Sequence, residues 1–167
     1  DGAVEKSSLI FQANSTSKWE ILKTNDGDFM VYDYGRSASV IDIGLNGNMS
    51  LMANGGNVGI GVTPEADWLS TRTGLQVGGS GAIFGRTSAG AGGDLSIGEN
   101  VYQHSGGSYR RISADSASLY QQTAGTHVFK VADTSTDNSV ITFTDAMFIN
   151  NSGFVGIGTT SPTHFLE

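Results

Sequence analysis

The hexapeptide GNVGIG occupies residues 56–61, and a near copy, GFVGIG, occupies residues 153–158. Each copy runs on to threonine and proline, as VTP after the first copy and as TTSP after the second. Successive side chains of a β-strand point to opposite faces, so the valine and isoleucine share one face. Gly59 and Gly61 then leave the other face without side chains. Each such glycine costs about 0.5–1 kcal/mol relative to alanine, so the pattern requires a compensating reason.

Two physical reasons account for glycine at alternate positions of a strand. One is the close approach of another backbone to the strand. The other is a bulge or bend that requires positive φ. The sequence does not decide between these two reasons, and both can hold together. The residues concerned form a structural repeat, which consists of Gly59, Gly61, Pro64, Gly156, Gly158 and Pro162.

Short alternating apolar runs dominate the chain and predict an all-β fold. Examples are KWEILKT (18–24) and DFMVYDY (28–34), which are separated by the turn sequence TNDGD. Turn signals recur about every 8–12 residues, the spacing of all-β proteins. The best helix candidate is TPEADWLSTR (63–72), because Thr63 can cap a helix and Pro64 suits its first position. We expect one or two turns there, so that the fold contains short helical turns at most.

The internal repeat extends beyond the hexapeptide and predicts the domain organisation. The stretch SVIDIGLNGNMSLMANGGNVGIG (39–61) parallels SVITFTDAMFINNSGFVGIG (139–158) with a few residues deleted. The first hexapeptide is therefore predicted to end one module and the second to end the next. The expected divisions are residues 1–63, residues 64–162, and the start of a further segment at 163–167.

Composition excludes several classes of function. The 167 residues include 24 glycines and carry a formal net charge of −7. A negative surface repels phosphate backbones and anionic lipids, which disfavours nucleic-acid partners. Cysteine is absent, and no apolar run approaches the roughly 20 residues of a membrane span, so we expect no thiolate metal site and no membrane insertion.

Small modules of short strands with few large apolar side chains bury little surface on their own. Association of three chains around a common axis would supply the missing burial. It would also cover strand edges that otherwise invite aggregation. The sequence therefore predicts a homotrimer in which small residues lie where the chains crowd together.

The residues that follow the repeat carry a family resemblance. GFVGIGTTSPTHFLE (153–167) closely resembles a segment common in bacteriophage tail-fibre proteins, where it recurs between modules and often precedes a C-terminal intramolecular chaperone. Residues 99–162 resemble a longer tail-fibre module, and GLQVGGSGAIFG (74–85) resembles the strand pair that opens such modules. Phe148 departs from the pattern, which usually carries arginine there.

The resemblance implies an elongated, intertwined homotrimeric fibre built from β-prism, β-sandwich or triple-β-helix-like modules. It implies a structural or receptor-binding role in host attachment, without catalysis. The implied location is the extracellular tail fibre of a virion. The implied partners are other tail proteins and a host surface polysaccharide or outer-membrane receptor.

The most suggestive binding feature is YQHSGGSYRR (102–111), in a chain otherwise poor in cations. Aromatic faces can stack on sugar rings, and arginine forks can grip carboxylates or phosphates of glycans. The candidate glycan contacts are Tyr102, His104, Tyr109, Arg110 and Arg111. The alternative, which we favour, is a hairpin whose tyrosines pack across strands while its arginines offset nearby acids.

Catalytic and metal-binding constellations are poor, so we expect no enzyme, cofactor or metal. Asp26 and Asp28 are hard-oxygen ligands for Ca²⁺ in principle, but a hairpin turn explains them better. Asp133 and Asp137 form a possible carboxylate pair for glycoside hydrolysis, and a solvated loop explains them better. The alternatives to a fibre shaft are a polysaccharide-binding tip and a tailspike polysaccharide depolymerase.

Overall fold

All regular structure in the described part of the chain is β. The computed structural model describes residues 6–51, 56–88 and 93–166. These residues form fifteen strands and no helix. The all-β prediction is therefore confirmed. The chain divides between Gly56 and Asn57 into two units, each with its own sheet.

The first unit is a five-stranded antiparallel meander. Its strands are β1 (Ser7–Ala13), β2 (Thr16–Lys23), β3 (Phe29–Asp33), β4 (Ala38–Ile43) and β5 (Met49–Leu51), and they pair in chain order. The turns after β2 and β4 use the predicted Asp-Gly and Asn-Gly pairs, whose glycines adopt positive φ of 99° and 80°. That left-handed backbone suits glycine because it has no Cβ.

A buried carboxylate anchors one face of this meander. Glu20, on β2, is 2% exposed. Its oxygens receive the Lys6 Nζ group at 2.8 and 3.0 Å and the Tyr34 hydroxyl at 2.9 Å. The hydrogen bond from Lys6 is the main cause that lowers the pKa of Glu20, and the same contact raises the pKa of Lys6. The charged pair therefore stabilises the fold of the first unit.

Acidification is expected to destabilise the first unit through Glu20. Because the folded pKa lies below the ordinary value of 4.5, the unfolded chain binds more protons in that region. The stabilisation is fully present above pH 4.5 and is lost as pH falls through the folded pKa. Urea unfolding followed by tryptophan fluorescence, at about pH 7 and about pH 3, measures the loss. Glu20→Gln should show a smaller acid-induced change; equal changes in both proteins would contradict the assignment.

The second unit is built on an eight-stranded sheet with a separate two-stranded hairpin. Its strands, in chain order, are β6 (Val58–Ile60), β7 (Arg72–Val77), β8 (Gly81–Arg86), β9 (Asp94–Glu99), β10 (Tyr102–Gln103), β11 (Tyr109–Arg110), β12 (Ala117–Thr123), β13 (Thr126–Ala132), β14 (Thr144–Ile149) and β15 (Val155–Ile157). The spatial order in the large sheet is β15-β14-β13-β12-β9-β8-β7-β6, and β10 pairs with β11. All neighbours are antiparallel except β6 and β7.

The core lies on one face of the large sheet, under β10, β11 and the loops that follow them. Phe84 and Leu119 project from the sheet and are 1% and 2% exposed. Trp68 packs on Phe84 with ring centroids 5.2 Å apart and on Tyr102 at 5.7 Å. Gly74 lies beneath the indole, where a Cβ would come within 3.0 Å of the ring. This aromatic cluster explains why the covered face is well packed.

The predicted helix over 63–72 is wrong. Backbone groups of this segment pair with the β10 region instead: Leu69 N donates to Gln103 O at 2.8 Å, and Ser105 N donates to Asp67 O at 2.7 Å. These long-range bonds replace the local bonds of a helix, and burial of Trp68 favours them. Among the described residues, no helix is long and apolar enough to cross a membrane.

The structure also places the first hexapeptide differently from the predicted module boundary near residue 63. Its strand, β6, pairs in parallel with β7, with Val58 opposite Leu75. The first copy therefore opens the sheet of the second unit, and the second copy, in β15, closes it. The assignment of these units as fibre modules stays a prediction.

Candidate functional site

The repeat glycines serve two different needs in the local fold. A Cβ on Gly59 would overlap the carbonyl oxygen of Val62 and lie 2.9 Å from Cδ of Pro64. A Cβ on Gly156 would overlap the carbonyl oxygen of Thr159 in the same way. Both explanations offered by the sequence therefore hold, since these strand glycines admit a close backbone and the next glycines bend the chain.

The bend uses the second glycine of each copy. Gly61 has φ of 70° and Gly158 has φ of 73°, a left-handed conformation that side chains with a Cβ rarely adopt. The chain turns there and returns over the preceding strand, so the close backbone belongs to the same chain. Crowding of three chains at these glycines, as expected from the sequence, is not needed to explain them.

The tyrosines of the candidate glycan hairpin are packing residues. Tyr102 is 2% exposed, and its hydroxyl donates to Asn138 Oδ1 at 2.9 Å. Burial raises the pKa of Tyr102, and burial likewise raises the pKa of Tyr109. The Tyr109 hydroxyl accepts from Gln121 Nε2 at 3.0 Å. Neither ring presents an open face for a sugar, as the hairpin interpretation predicted.

The two arginines hold backbone carbonyls rather than neighbouring acids. Arg110 Nη1 donates to Asn138 O at 2.9 Å. Arg111 is 4% exposed and donates from Nε to Asp115 O at 2.9 Å and from Nη2 to Asp133 O. The expectation that these arginines offset acids is wrong, because their partners are neutral oxygens that tie separate loops together.

The fifth candidate, His104, stabilises the turn between β10 and β11. Its Nδ1 accepts from Gly106 N at 2.9 Å, and its backbone N donates to Ser108 O at 2.9 Å. The structure thus brings all five candidates into one region, as hairpin and core residues. It does not assemble them into an open binding surface.

The acidic pairs take structural positions. Asp28 Oδ1 accepts from Leu45 N at 3.0 Å and so joins two turns, which supports the hairpin interpretation of TNDGD. Asp133 and Asp137 lie in different surroundings. Asp133 lines a cleft with Arg111. Asp137 lies near Glu65, whose pKa is raised mainly by burial and also by the charge of Asp137. Within the described ranges, no group of three or more acidic or histidine side chains is placed to hold a metal ion.

The feature that sequence inspection missed is an uninterrupted row of apolar side chains across the second sheet. Directly paired residues lie on the same face. The pairing register joins one apolar residue from each of the eight strands, and we call this set the apolar row: Val58, Leu75, Ile83, Ile97, Tyr120, Phe129, Met147 and Ile157. The row lies on the face opposite the core, which we call the open face.

The open face is exposed in the isolated chain. Ile83, Ile97 and Phe129 are 41–45% exposed, and Ile157 is 66% exposed. Phe129 stacks on Tyr120 with centroids 4.8 Å apart, so these two neighbouring side chains of the row are in contact. A contiguous exposed apolar surface of this kind marks an interaction site.

The first sheet repeats the arrangement. Its register joins one apolar side chain from each of its five strands, and we call this set the first-unit row: Leu9, Ile21, Val31, Ile41 and Leu51. Leu9 is 58% exposed and Leu51 is 44% exposed. A second set of directly paired residues, Phe29, Ile43 and Met49, lies beside the first-unit row on the same face. Each unit therefore has one face with an apolar surface that its own described residues leave exposed.

Comparison of the chain with protein-family models and with curated proteins gives no match.

Proposed function

We propose that the chain is a non-catalytic structural module of a homotrimeric fibre of the bacteriophage tail-fibre type. The apolar row is the observation that carries this proposal. A sheet that carries apolar residues on its covered face and on its open face is suited to burial on both faces. The protomer covers one face with its own loops, and partner copies cover the other.

Energetics favour association through the open face. Full burial of a large apolar side chain contributes about 1.5–3 kcal/mol, so the half-exposed side chains of the row each contribute roughly half of that when covered. Four side chains of the row are exposed to this extent in each protomer, namely Ile83, Ile97, Phe129 and Ile157. Their combined contribution of about 3–6 kcal/mol in each protomer is comparable with the stability of a small domain, which is about 5–15 kcal/mol.

Threefold packing agrees with the resemblance of the sequence and gives the open face a partner. Three sheets arranged as a triangular prism would place their apolar rows against a shared axis and leave their loop-covered faces outside. The first-unit row gives the first sheet a face of the same kind. Such an assembly is rigid and extended, and as part of a virion tail fibre it would contribute to host attachment through a surface polysaccharide or outer-membrane receptor.

Thiol labelling tests whether the open face is covered. The chain has no cysteine, so one introduced thiol reports on one position. Ser118, on β12, lies on the open face, and Ser105 lies in the β10–β11 turn; both are exposed in the protomer. A maleimide should react with Ser118→Cys at least about tenfold more slowly than with Ser105→Cys. In urea both variants should react at the same rate, which is the control for the intrinsic reactivity of the two thiols. Equal reaction rates of the two variants in the native protein would contradict coverage of the open face.

A further inference from the structure

A cleft of about 310 Å³ lies beside the C-terminal end of β13 in the second unit. Segments 133–135 and 140–144 form its sides, and the buried Arg111 side chain lines it between them. The volume suits one small polar molecule or one sugar unit. The charges and the free hydrogen-bonding groups of the lining residues indicate the chemical class of ligand that the cleft would bind.

Arg111 differs from the buried Arg72 and from the partly buried Lys130. Arg72 pairs with Asp94, and Lys130 pairs with Asp145 at 2.5 Å. No carboxylate of the described residues forms an ion pair with Arg111. Its positive charge is buried among neutral oxygens, although buried charges in proteins are usually paired.

The guanidinium of Arg111 retains hydrogen-bonding capacity. It donates to Asp115 O, Ser139 Oγ, Val140 O and Asp133 O, which accounts for four hydrogen bonds. A guanidinium has about five N–H groups, so one donor is left over. The guanidinium, which forms no ion pair with the described carboxylates, and this remaining donor lie at a cleft rather than in a sealed core.

Hydroxyl groups converge on the same cleft. Thr134, Ser135 and Thr142 line it, and none of their hydroxyls has a hydrogen-bond partner among the described residues. Each is available as a donor and as an acceptor. Asp133 also lines the cleft, and its negative charge opposes a bare anion, whereas a ligand with hydroxyl groups can donate hydrogen bonds to an acidic residue.

We propose that this cleft binds one oxyanion group, which Arg111 and the threonine hydroxyls hold, and which either a free anion or an acidic sugar supplies. Planar guanidinium groups match the geometry of carboxylates and phosphates. The presence of Asp133 favours the acidic sugar, because its hydroxyls satisfy that carboxylate. The proposal goes beyond the fibre role and does not depend on it.

Nuclear magnetic resonance titrations at constant ionic strength test the proposal with four probes: glucuronate, glucose, acetate and inorganic phosphate. Glucuronate should shift the amide signals of Ser135 and Thr142 saturably, and glucose should bind about tenfold more weakly. Phosphate or acetate binding as tightly as glucuronate would assign the oxyanion site to a free anion. Equal binding of glucose and glucuronate, or no saturable shift with any anion, would overturn the proposal.

Variants separate a binding role of the cleft from a structural role of Arg111. Arg111→Lys removes the planar guanidinium group, and its glucuronate affinity is measured on the folded variant. Thr142→Val removes one exposed hydroxyl with no intramolecular partner, so the fold should persist and glucuronate affinity should fall about fivefold. Thr16→Val, in the first unit, is the matched control and should bind like the unmodified protein. Unchanged affinity in Thr142→Val would contradict the proposed contacts.

Discussion

Replacing Ile97 with aspartate is expected to convert the proposed trimer into monomers. Ile97 lies on β9, near the middle of the apolar row, where its Cα partners on the neighbouring strands are Ile83 and Tyr120. In a threefold assembly the variant would bring three carboxylates towards one apolar axis. An uncompensated buried charge costs several kcal/mol, which is large enough to prevent association.

The isolated protomer should tolerate the same substitution. Ile97 is 45% exposed there, so the new carboxylate is solvated and the fold loses little. Light scattering after size-exclusion chromatography should give a mass of about 17.4 kDa for Ile97→Asp and three times that value for the unmodified protein. Thr87→Asp, an exposed position just after β8, is the charge-matched control and should stay trimeric. A trimeric Ile97→Asp protein would show that the open face is not the interface.

Replacing Gly156 with alanine is expected to destabilise the second unit by about 2 kcal/mol or more. The new Cβ would overlap the carbonyl oxygen of Thr159 and lie 2.9 Å from its Cγ2. Because a backbone atom is the obstacle, the turn must shift, and overpacking of this kind costs about 1–3 kcal/mol or more. Gly59→Ala meets the carbonyl oxygen of Val62 and should behave in the same way.

Chemical denaturation of Gly156→Ala measures the loss, and Gly79→Ala provides the matched control. A Cβ at Gly79 meets no atom within 4 Å, and its φ is not in the left-handed region. Gly79→Ala should therefore be neutral or stabilising by up to about 1 kcal/mol. The obstacle at Gly156 lies within the same chain, so the loss should persist when Ile97→Asp is added. Equal stability of Gly156→Ala and Gly79→Ala would refute the close approach.

Local features of the fold were predictable from the sequence because they depend on neighbouring residues. The Asp-Gly and Asn-Gly pairs at Gly27 and Gly47 mark turns by their conformational preference alone. Likewise, the alternation in β2 and β3 identifies strands without knowledge of their partners. The glycines of the hexapeptide indicate by themselves that residues with a Cβ are not suited to alternate positions. The structure shows that the group occupying the space beside Gly59 is the backbone of the turn that follows the strand.

Features that depend on pairing between distant residues were not predictable. Trp68 lies in a segment with good helix-start signals, yet its indole fills the space above Gly74 and its backbone joins the β10 region. Alternation is visible within each strand, but the apolar row exists only when the register places Ile83 beside Ile97 and Ile97 beside Tyr120. A one-residue slip would remove the row, so single strands do not reveal it.

The glycan candidates show the same limit. Tyr102 and Arg111 are residue types that bind sugars at surfaces, and the sequence does not report that both are nearly fully buried here. Burial follows from packing of the β10–β11 hairpin on the large sheet. The chemistry of Arg111 remained informative, because its buried charge forms no ion pair with a carboxylate of the described residues and so draws attention to the cleft beside β13.

Sedimentation equilibrium of the unmodified protein tests the central claim most directly, since mass in solution reports how many copies cover the open face. A single species of three times 17.4 kDa, stable on dilution through the micromolar range, is the predicted result. A monomer of 17.4 kDa that unfolds cooperatively at the same concentrations would contradict the account, because the apolar row would then face water in the native state.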